Sequence, residues 1–219
     1  MTTLVLNFDP ASPPGDLDRL LARAPHRHLW PVRDGGVDKV ALADRVILLG
    51  GDLSANDPLP ALAELRRALA ARHAARRPTL GICLGAQILA TALGGTVSRL
   101  PAEELGVLSV ELTPEGRADP LFQGLPAPLP VVQAHGEQVS HLAGATLLAR
   151  SPACAVQAYR LGASTGLQFH PEAEPDTLRG WAATAPVPHP DIDAEIAARF
   201  PAAAEAGRLI LSRWLAATA

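Results

Sequence analysis

The sequence has few cysteines and no long apolar run. Its two cysteines, Cys83 and Cys154, are too few for the disulfide framework of a small secreted protein. No uninterrupted apolar segment approaches the roughly 20 residues that cross a bilayer as a helix. The first residues, Met1 to Leu4, lack the basic and apolar regions of a secretory signal. We therefore expect a cytoplasmic protein that does not associate with a membrane.

Lysine and aromatic side chains are also scarce. Lys39 is the single lysine among 19 basic residues and no Walker-type loop is present, so there is little to hold ATP phosphates. The net charge of −3 and the low aromatic content, 4%, argue against a nucleic-acid partner. Several histidines have no ligand-like spacing with one another or with either cysteine: His26, His28, His73, His141 and His189. The sequence therefore predicts no cofactor and no metal site.

What the chain does contain is a cysteine between two glycines, in the stretch from Gly81 to Gln87 (GICLGAQ). An apolar run of strand character precedes Cys83 and a helical pattern follows it. This arrangement is typical of a nucleophile elbow, a strained turn that exposes the nucleophile, with small flanking residues that leave room for it. The positive end of the helix and a nearby imidazole would both favour the thiolate.

A histidine and a carboxylate lie far downstream, in the stretch from Gly166 to Glu172 (GLQFHPE). A cysteine nucleophile needs a general base within hydrogen-bond reach and a third group that orients the base. In extended backbone, residues two apart project to the same side, so Glu172 can hold the ring of His170. A strand-terminal histidine followed by a helix-capping acid is the alternative for this segment taken alone.

Two glycines, Gly50 and Gly51, follow a third apolar run, Val46 to Leu49. A thioester-forming enzyme stabilises a tetrahedral oxyanion, usually with two backbone N–H groups. The N–H of Leu84 would supply one donor and this glycine loop the other, because glycine lets the backbone approach closely. An ordinary turn after a strand is the simpler explanation of the same residues.

These motifs, with Gln133 to Glu137 (QAHGE), resemble the class I (triad) glutamine amidotransferases, and most closely the stand-alone GMP-synthase-like proteins of that family. The resemblance implies that Cys83 is the nucleophile, His170 the general acid and base, and Glu172 the orienting carboxylate. It implies an oxyanion hole at two backbone N–H groups and a substrate pocket around several further residues. The oxyanion-hole residues would be Gly51 and Leu84, and the substrate-binding residues Gly50, Gln87, His135, Gly136 and Glu137.

Three positions depart from the family pattern. Many relatives have histidine where this chain has Ala86, an aromatic residue where it has Ala134, and a Gly-Trp pair where it reads Gly106-Val107. These differences leave the three proposed catalytic residues in place. They concern the wall of the pocket, and therefore the identity of the substrate.

The alternation of helical and strand patterns predicts an α/β fold, a doubly wound and mostly parallel sheet flanked by helices, in a single domain spanning residues 1–219. Short additional strands are predicted after Gly95: 96–99, 107–112, 129–133, 146–149 and 156–160. The final helix is predicted over 202–217. The arginine-rich stretch from Arg66 to Arg77 is predicted to be a solvated helix face.

The sequence leaves the use of the released amine open. The chain would hydrolyse the γ-amide of glutamine and pass ammonia to a separate synthase subunit, or it would be a free-standing hydrolase of γ-glutamyl amines or peptides. A catalytically silent binding module with the same fold is the alternative from another class. The related chaperone and glyoxalase-like proteins place their histidine soon after the elbow cysteine, whereas Ala86 and Gln87 follow it here. The oligomeric state is not predicted.

Overall fold

The computed structural model describes all 219 residues. Strands and helices alternate through the first half of the chain. The strands are β1 (Thr3–Leu6), β2 (His26–Leu29), β3 (Arg45–Leu48), β4 (Thr79–Ile82), β5 (Thr96–Leu112), β6 (Leu129–His141), β7 (Thr146–Arg150), β8 (Ala158–Leu161) and β9 (Ser164–Leu167). The helices are α1 (Asp16–Leu21), α2 (Pro31–Asp34), α3 (Asp38–Leu42), α4 (Pro60–Ala74), α5 (Leu84–Ala92), α6 (Pro114–Ala118), α7 (Pro175–Thr184) and α8 (Ile192–Ala217).

All nine strands form one sheet in the order β2-β1-β3-β4-β9-β8-β7-β5-β6. The first five of these strands are parallel, and β4 pairs with β9 although 81 residues of other structure intervene. The remaining four strands continue the sheet in antiparallel fashion. The carboxyl ends of β3, β4 and β9 therefore lie side by side, which is where an open α/β sheet binds its ligands.

Two apolar layers cover the two faces of the parallel strands. Alternate residues along each strand point to opposite faces, so that β1 sends Val5 to one layer and its neighbours Leu4 and Leu6 to the other. Helices α1 and α8 cover the first face, whereas α3, α4 and α5 cover the second. This is the doubly wound arrangement that the sequence predicted.

The structure differs most from the predicted elements at three places. The segments 96–99 and 107–112 belong to one strand, β5, because its pairing with β6 continues across an irregularity between Arg99 and Glu104. Strand β2 was not predicted, since its residues HRHL are mostly polar and it lies at the sheet edge. Helix α8 begins at Ile192 instead of residue 202 and continues through Pro201.

Arg72 contradicts the prediction of a solvated arginine face. Its side chain is 1% exposed, and its guanidinium donates hydrogen bonds to backbone carbonyls at 2.6–3.4 Å. These acceptors belong to Val40, Ala43, Asp44 and Pro78, and Thr79 Oγ1 is a further acceptor at 3.2 Å. The guanidinium thereby links α4 to the segments that enter β3 and β4. Burial lowers its pKa to about 10.

None of the helices combines the length and the apolar character that crossing a membrane requires.

Candidate active site

Cys83 occupies the sharp turn between β4 and α5. Its backbone has φ 50° and ψ −113°, a strained conformation that residues other than glycine rarely adopt. The flanking glycines are required sterically, because a Cβ at Gly81 would lie 2.5 Å from the carbonyl oxygen of Gly85. A Cβ at Gly85 would in turn collide with the backbone of Leu48. The elbow that the sequence predicted is therefore present.

Hydrogen bonds fix the elbow between two parallel strands. The N–H of Cys83 donates to the carbonyl of Leu167 on β9 at 2.8 Å, and the N–H of Gly85 donates to Leu49 at 3.1 Å. The carbonyl of Cys83 accepts from Ala86 and Gln87, the first bonds of α5. Cys83 is 6% exposed and lies at the positive end of this helix.

His170 and Glu172 follow β9 and are both buried, with side chains 2% and 1% exposed. Nδ1 of His170 lies 2.8 Å from Oε1 of Glu172, while Nε2 has no hydrogen-bond partner in the protein. A Cβ at Gly50 would lie 2.8 Å from Cε1 of His170 and 3.6 Å from Cβ of Cys83, so the imidazole and the thiol meet over this glycine.

The charge environment favours the imidazolium form of His170. Burial by itself lowers its pKa, but the negative charges of Glu172 and Cys83 and the hydrogen bond to Glu172 outweigh burial and raise the pKa to about 10. The indole of Trp181 covers the ring, with centroids 4.5 Å apart. A buried imidazolium beside a thiol is the arrangement that activates a cysteine nucleophile.

Two backbone N–H groups without a partner belong to residues that line one cavity. The N–H groups of Gly51 and Leu84 make no hydrogen bond within the protein, and both residues line the cavity that contains Cys83 and His170. Gly51 has no room for a side chain, since a Cβ there would lie 2.9 Å from that of Phe8. The geometry suits two donors to one oxyanion.

The cavity has a volume of about 510 Å³ and carries more acidic than basic side chains. The acids are Asp52, Glu103, Glu104 and Glu137, and the one guanidinium is that of Arg99. Burial, followed by the nearby charge of Asp9, raises the pKa of Asp52.

A model of the class-I glutamine amidotransferases matches residues 29–180. A glutamine-hydrolysing GMP synthase subunit from Picrophilus torridus is 32% identical over 161 residues, which are 67% of this chain and 82% of that protein. The chain belongs to the class-I glutamine amidotransferase family.

A larger share of this amidotransferase aligns with solved structures than with relatives compared by sequence. The crystal structure of a glutamine amidotransferase from Methylobacillus flagellatus superposes with a TM-score of 0.82 at 26% identity, covering 98% of this chain and 94% of that one. The GMP synthase subunit of the same name from Thermococcus kodakarensis is 41% identical over 98 residues, which are 43% of this chain and half of that protein.

Of the substrate-binding residues implied by the resemblance, Gln87, His135, Gly136 and Glu137 line the amidotransferase cavity. Gly50 does not line it and lies against the ring of His170. Gln87 is 3% exposed, and its Nε2 donates to the carbonyl of Glu137 at 3.0 Å and to Oε1 of Gln168 at 3.2 Å. The carboxylate of Glu137 accepts from Ser54 Oγ at 2.9 and 3.1 Å. Gly136 lines the cavity beside the side chain of Glu103.

His135 turns its ring into the protein. Its Nδ1 lies 2.9 Å from the carbonyl of Glu137, and its Nε2 lies 3.1 Å from Oε2 of Glu104. The carboxylate of Glu104 also accepts hydrogen bonds from Ser151 and Gln157. Burial would raise the pKa of Glu104, but these partners outweigh it and hold the pKa below its usual value. His135 therefore shapes the cavity from behind.

Sequence reasoning missed two features near the site. Trp181 covers His170, and its Nε1 donates to the carbonyl of Ala11 at 2.9 Å. Its position on α7 carries no motif that would have revealed this contact. The second feature is a group of three side chains, Asp18, His26 and His28, which present ligand atoms within 4.8 Å of one another although the spacing of the histidines predicted no metal site. Residues two apart on β2 share a face, and α1 brings the carboxylate to it.

Proposed function

We propose that this chain is a glutaminase that hydrolyses the γ-amide of glutamine through a thioester on Cys83. The observation that carries the proposal is the convergence of the Cys83 thiol, the His170–Glu172 pair and two unpaired backbone N–H groups on one cavity. Each group supplies what one step of amide hydrolysis requires.

In the first step the Cys83 thiolate attacks the γ-carbonyl carbon of glutamine. The carbonyl oxygen becomes an oxyanion, which the N–H groups of Gly51 and Leu84 stabilise. His170 donates its proton to the departing nitrogen, the carbon–nitrogen bond breaks, and ammonia leaves. The raised pKa of His170 keeps this proton available at neutral pH. Glu172 holds the ring so that Nε2 faces the reacting atoms.

In the second step water hydrolyses the γ-glutamyl thioester. His170, now neutral, takes a proton from the attacking water, and the same two N–H groups stabilise the second oxyanion. The carbon–sulfur bond then breaks, glutamate leaves, and the thiolate–imidazolium pair is restored. The cycle needs no cofactor.

The ammonia is the product with biosynthetic value, and we infer that a separate synthase subunit receives it. The name of the Picrophilus torridus relative, which is one subunit of a GMP synthase, supports this inference. A cytoplasmic, reducing setting would keep the Cys83 thiol free for the reaction. We also infer that residues 1–219 act as a single domain, since one continuous sheet joins β2 to β6.

The cavity favours a second candidate, the hydrolysis of γ-glutamyl amines. Its volume of about 510 Å³ falls in the range of sites for drug-sized ligands. The carboxylates of Asp52, Glu103 and Glu137 would attract a cationic amine beyond the scissile bond. In this case the leaving group is the amine, and no partner is required.

Glutamate release by the purified protein distinguishes these functions, with Cys83→Ser as the control. Turnover of γ-glutamyl amines without a partner supports the free-standing hydrolase. Slow release from every substrate, with Cys83 still alkylated by an electrophilic glutamine analogue, supports a subunit that needs its synthase. Failure of both turnover and alkylation would contradict the proposal and favour a silent binding module.

A further inference from the structure

We propose that Asp18, His26 and His28 bind a transition-metal dication of the zinc class, which joins helix α1 to the edge strand β2. Two imidazoles and one carboxylate are a ligand set that such ions accept, with water completing the coordination. The site lies apart from the cavity that contains Cys83, none of whose lining residues belongs to it.

One of the three ligand–ligand distances already suits a tetrahedral ion. Oδ1 of Asp18 lies 3.2 Å from Nε2 of His28, and two ligand atoms at ordinary zinc distances are ~3.4 Å apart. The ligand atom of His26 lies within 4.8 Å of both, and its ring centroid is 5.5 Å from that of His28. A small side-chain rotation brings the third ligand into range.

His26 has the outer partner that metal-binding histidines usually have, and His28 gains one when a neighbouring amide turns. Nδ1 of His26 lies 3.0 Å from the carbonyl of Ala24, which accepts its proton and leaves the Nε2 lone pair free. Nδ1 of His28 lies 3.2 Å from the side-chain amide of Asn7. If the side-chain amide of Asn7 rotates by 180° about χ2, its oxygen faces Nδ1 of His28 and can accept a proton from it. The rotation breaks only the weak hydrogen bond from Asn7 Nδ2 to the carbonyl of Val5, at 3.4 Å. Nε2 of His28 then also faces the ion.

Asp18 has no competing cation. The neighbouring guanidinium of Arg19 pairs with Asp16 at 2.6 Å and with Glu174, and Arg208 also faces Asp16. Oδ1 of Asp18 is buried and lacks a well-directed hydrogen bond. This oxygen lies 3.2 Å from Nε2 of His28, and the Asp18 side chain as a whole is 44% exposed, so a cation from solution can reach the space between the two atoms.

A second group of ligand atoms, on Glu104, His135 and Cys154, is a weaker candidate. The oxygens of Glu104 already accept from Ser151 and Gln157, and the thiol of Cys154 donates to the carbonyl of Val156 at 3.5 Å. Burial raises the pKa of Cys154 to about 12, so the thiol keeps its proton. This group is a satisfied polar network.

Zinc titration of tag-free Cys83→Ser protein tests the proposal, because that substitution removes the active-site thiol as a competing ligand. After chelator treatment and dialysis, Zn²⁺ is titrated against a chromophoric chelator. We expect one equivalent to bind, and the single variants Asp18→Asn and His28→Gln to weaken binding by at least about tenfold. Mg²⁺ should not compete, since imidazole is a poor ligand for it. His141→Gln, at an exposed histidine on β6, is the matched control and should bind zinc like its parent.

Thermal unfolding gives an independent measurement. Zinc should raise the melting temperature of the parent, because an ion that binds only the folded state stabilises it, and should not raise that of His26→Gln/His28→Gln. Circular dichroism checks that the variants fold. Absence of saturable binding, or equal affinity in the parent and the Asp18 and His28 variants, would overturn the proposal. So would zinc retained by the double-histidine variant, since that ion would have to occupy another site.

Discussion

Replacing Glu172 by glutamine separates the charge of this side chain from its orienting role. The carboxylate contacts Nδ1 of His170 at 2.8 Å, and both side chains are at least 98% buried. A glutamine amide at position 172 still offers an oxygen to the Nδ1 proton, so the ring can keep its orientation. The negative charge is lost.

The expected effect follows from what sets the pKa of His170. Burial lowers it, whereas Glu172 and Cys83 raise it from 6.5 to about 10. The difference corresponds to about 5 kcal/mol in favour of the imidazolium. Without the charge of Glu172, burial is opposed by Cys83 alone, and the pKa of His170 falls. The imidazolium, and with it the proton for the leaving nitrogen, is therefore lost at a lower pH.

The assay is glutamate release as a function of pH. We expect kcat/KM of the wild-type protein to persist through the neutral range and to fall as the pH approaches about 10. The alkaline fall should move to lower pH in Glu172→Gln, and the maximal rate should drop by about 10²–10⁴-fold. His170→Ala should lose more, because it removes the acid and base itself. Circular dichroism at each pH excludes unfolding as the cause.

Two results would refute the reasoning. An alkaline limb at the same pH in both proteins would mean that the charge of Glu172 does not control the protonation of His170. A loss in Glu172→Gln that equals or exceeds that in His170→Ala would mean that the orienting and proton-transferring roles are misassigned.

Three further predictions test the nucleophile, the packing beside it and the buried guanidinium. Cys83→Ser should reduce turnover by at least about 10³-fold with an unchanged melting temperature, and retained turnover would move the nucleophile elsewhere. Gly50→Ala should lower kcat by about tenfold or more, because its Cβ would lie 2.8 Å from the catalytic imidazole, whereas Gly180→Ala, with open space around it, should not lower kcat. Equal kcat values in the two alanine variants would contradict the steric argument. Arg72→Lys should lower the free energy of unfolding in urea by about 2–4 kcal/mol, because lysine cannot reproduce the fork of donors. The exposed Arg67→Lys should change it by less than about 0.5 kcal/mol, and similar values for both would refute the role of Arg72.

The parts of the site that depend on backbone geometry were predictable from the sequence. The strained turn at Cys83 needs small residues at positions 81 and 85, and only glycine satisfies the distances found there. Strand β4 (Thr79–Ile82) corresponds to the apolar run of strand character that precedes Cys83 in the sequence, because four buried residues lead into the obligatory turn. The contact between His170 and Glu172 was predicted from their spacing, but it forms in the turn that follows β9 and not in the extended backbone that the prediction assumed.

Contacts between side chains distant in sequence were not predictable in this way. Nothing local to Arg72 distinguishes it from the exposed Arg67, since its burial depends on carbonyls that α3 and the segment before β4 supply. Nothing local to Trp181 indicates that α7 will bring its ring onto His170.

The edge strand β2 lies between these two cases. A polar segment such as HRHL does not have the apolar alternation of a half-buried strand, because one of its sides faces solvent at the sheet edge. Once the segment is known to be a strand, His26 and His28 must share a face, and the parallel pairing of β2 with β1 directs that face toward α1. The arrangement of the two imidazoles thus follows from the assignment of the strand, whereas the approach of Asp18 requires the packing of the helix. A metal site of this kind becomes visible only when the tertiary structure adds the carboxylate to the pair.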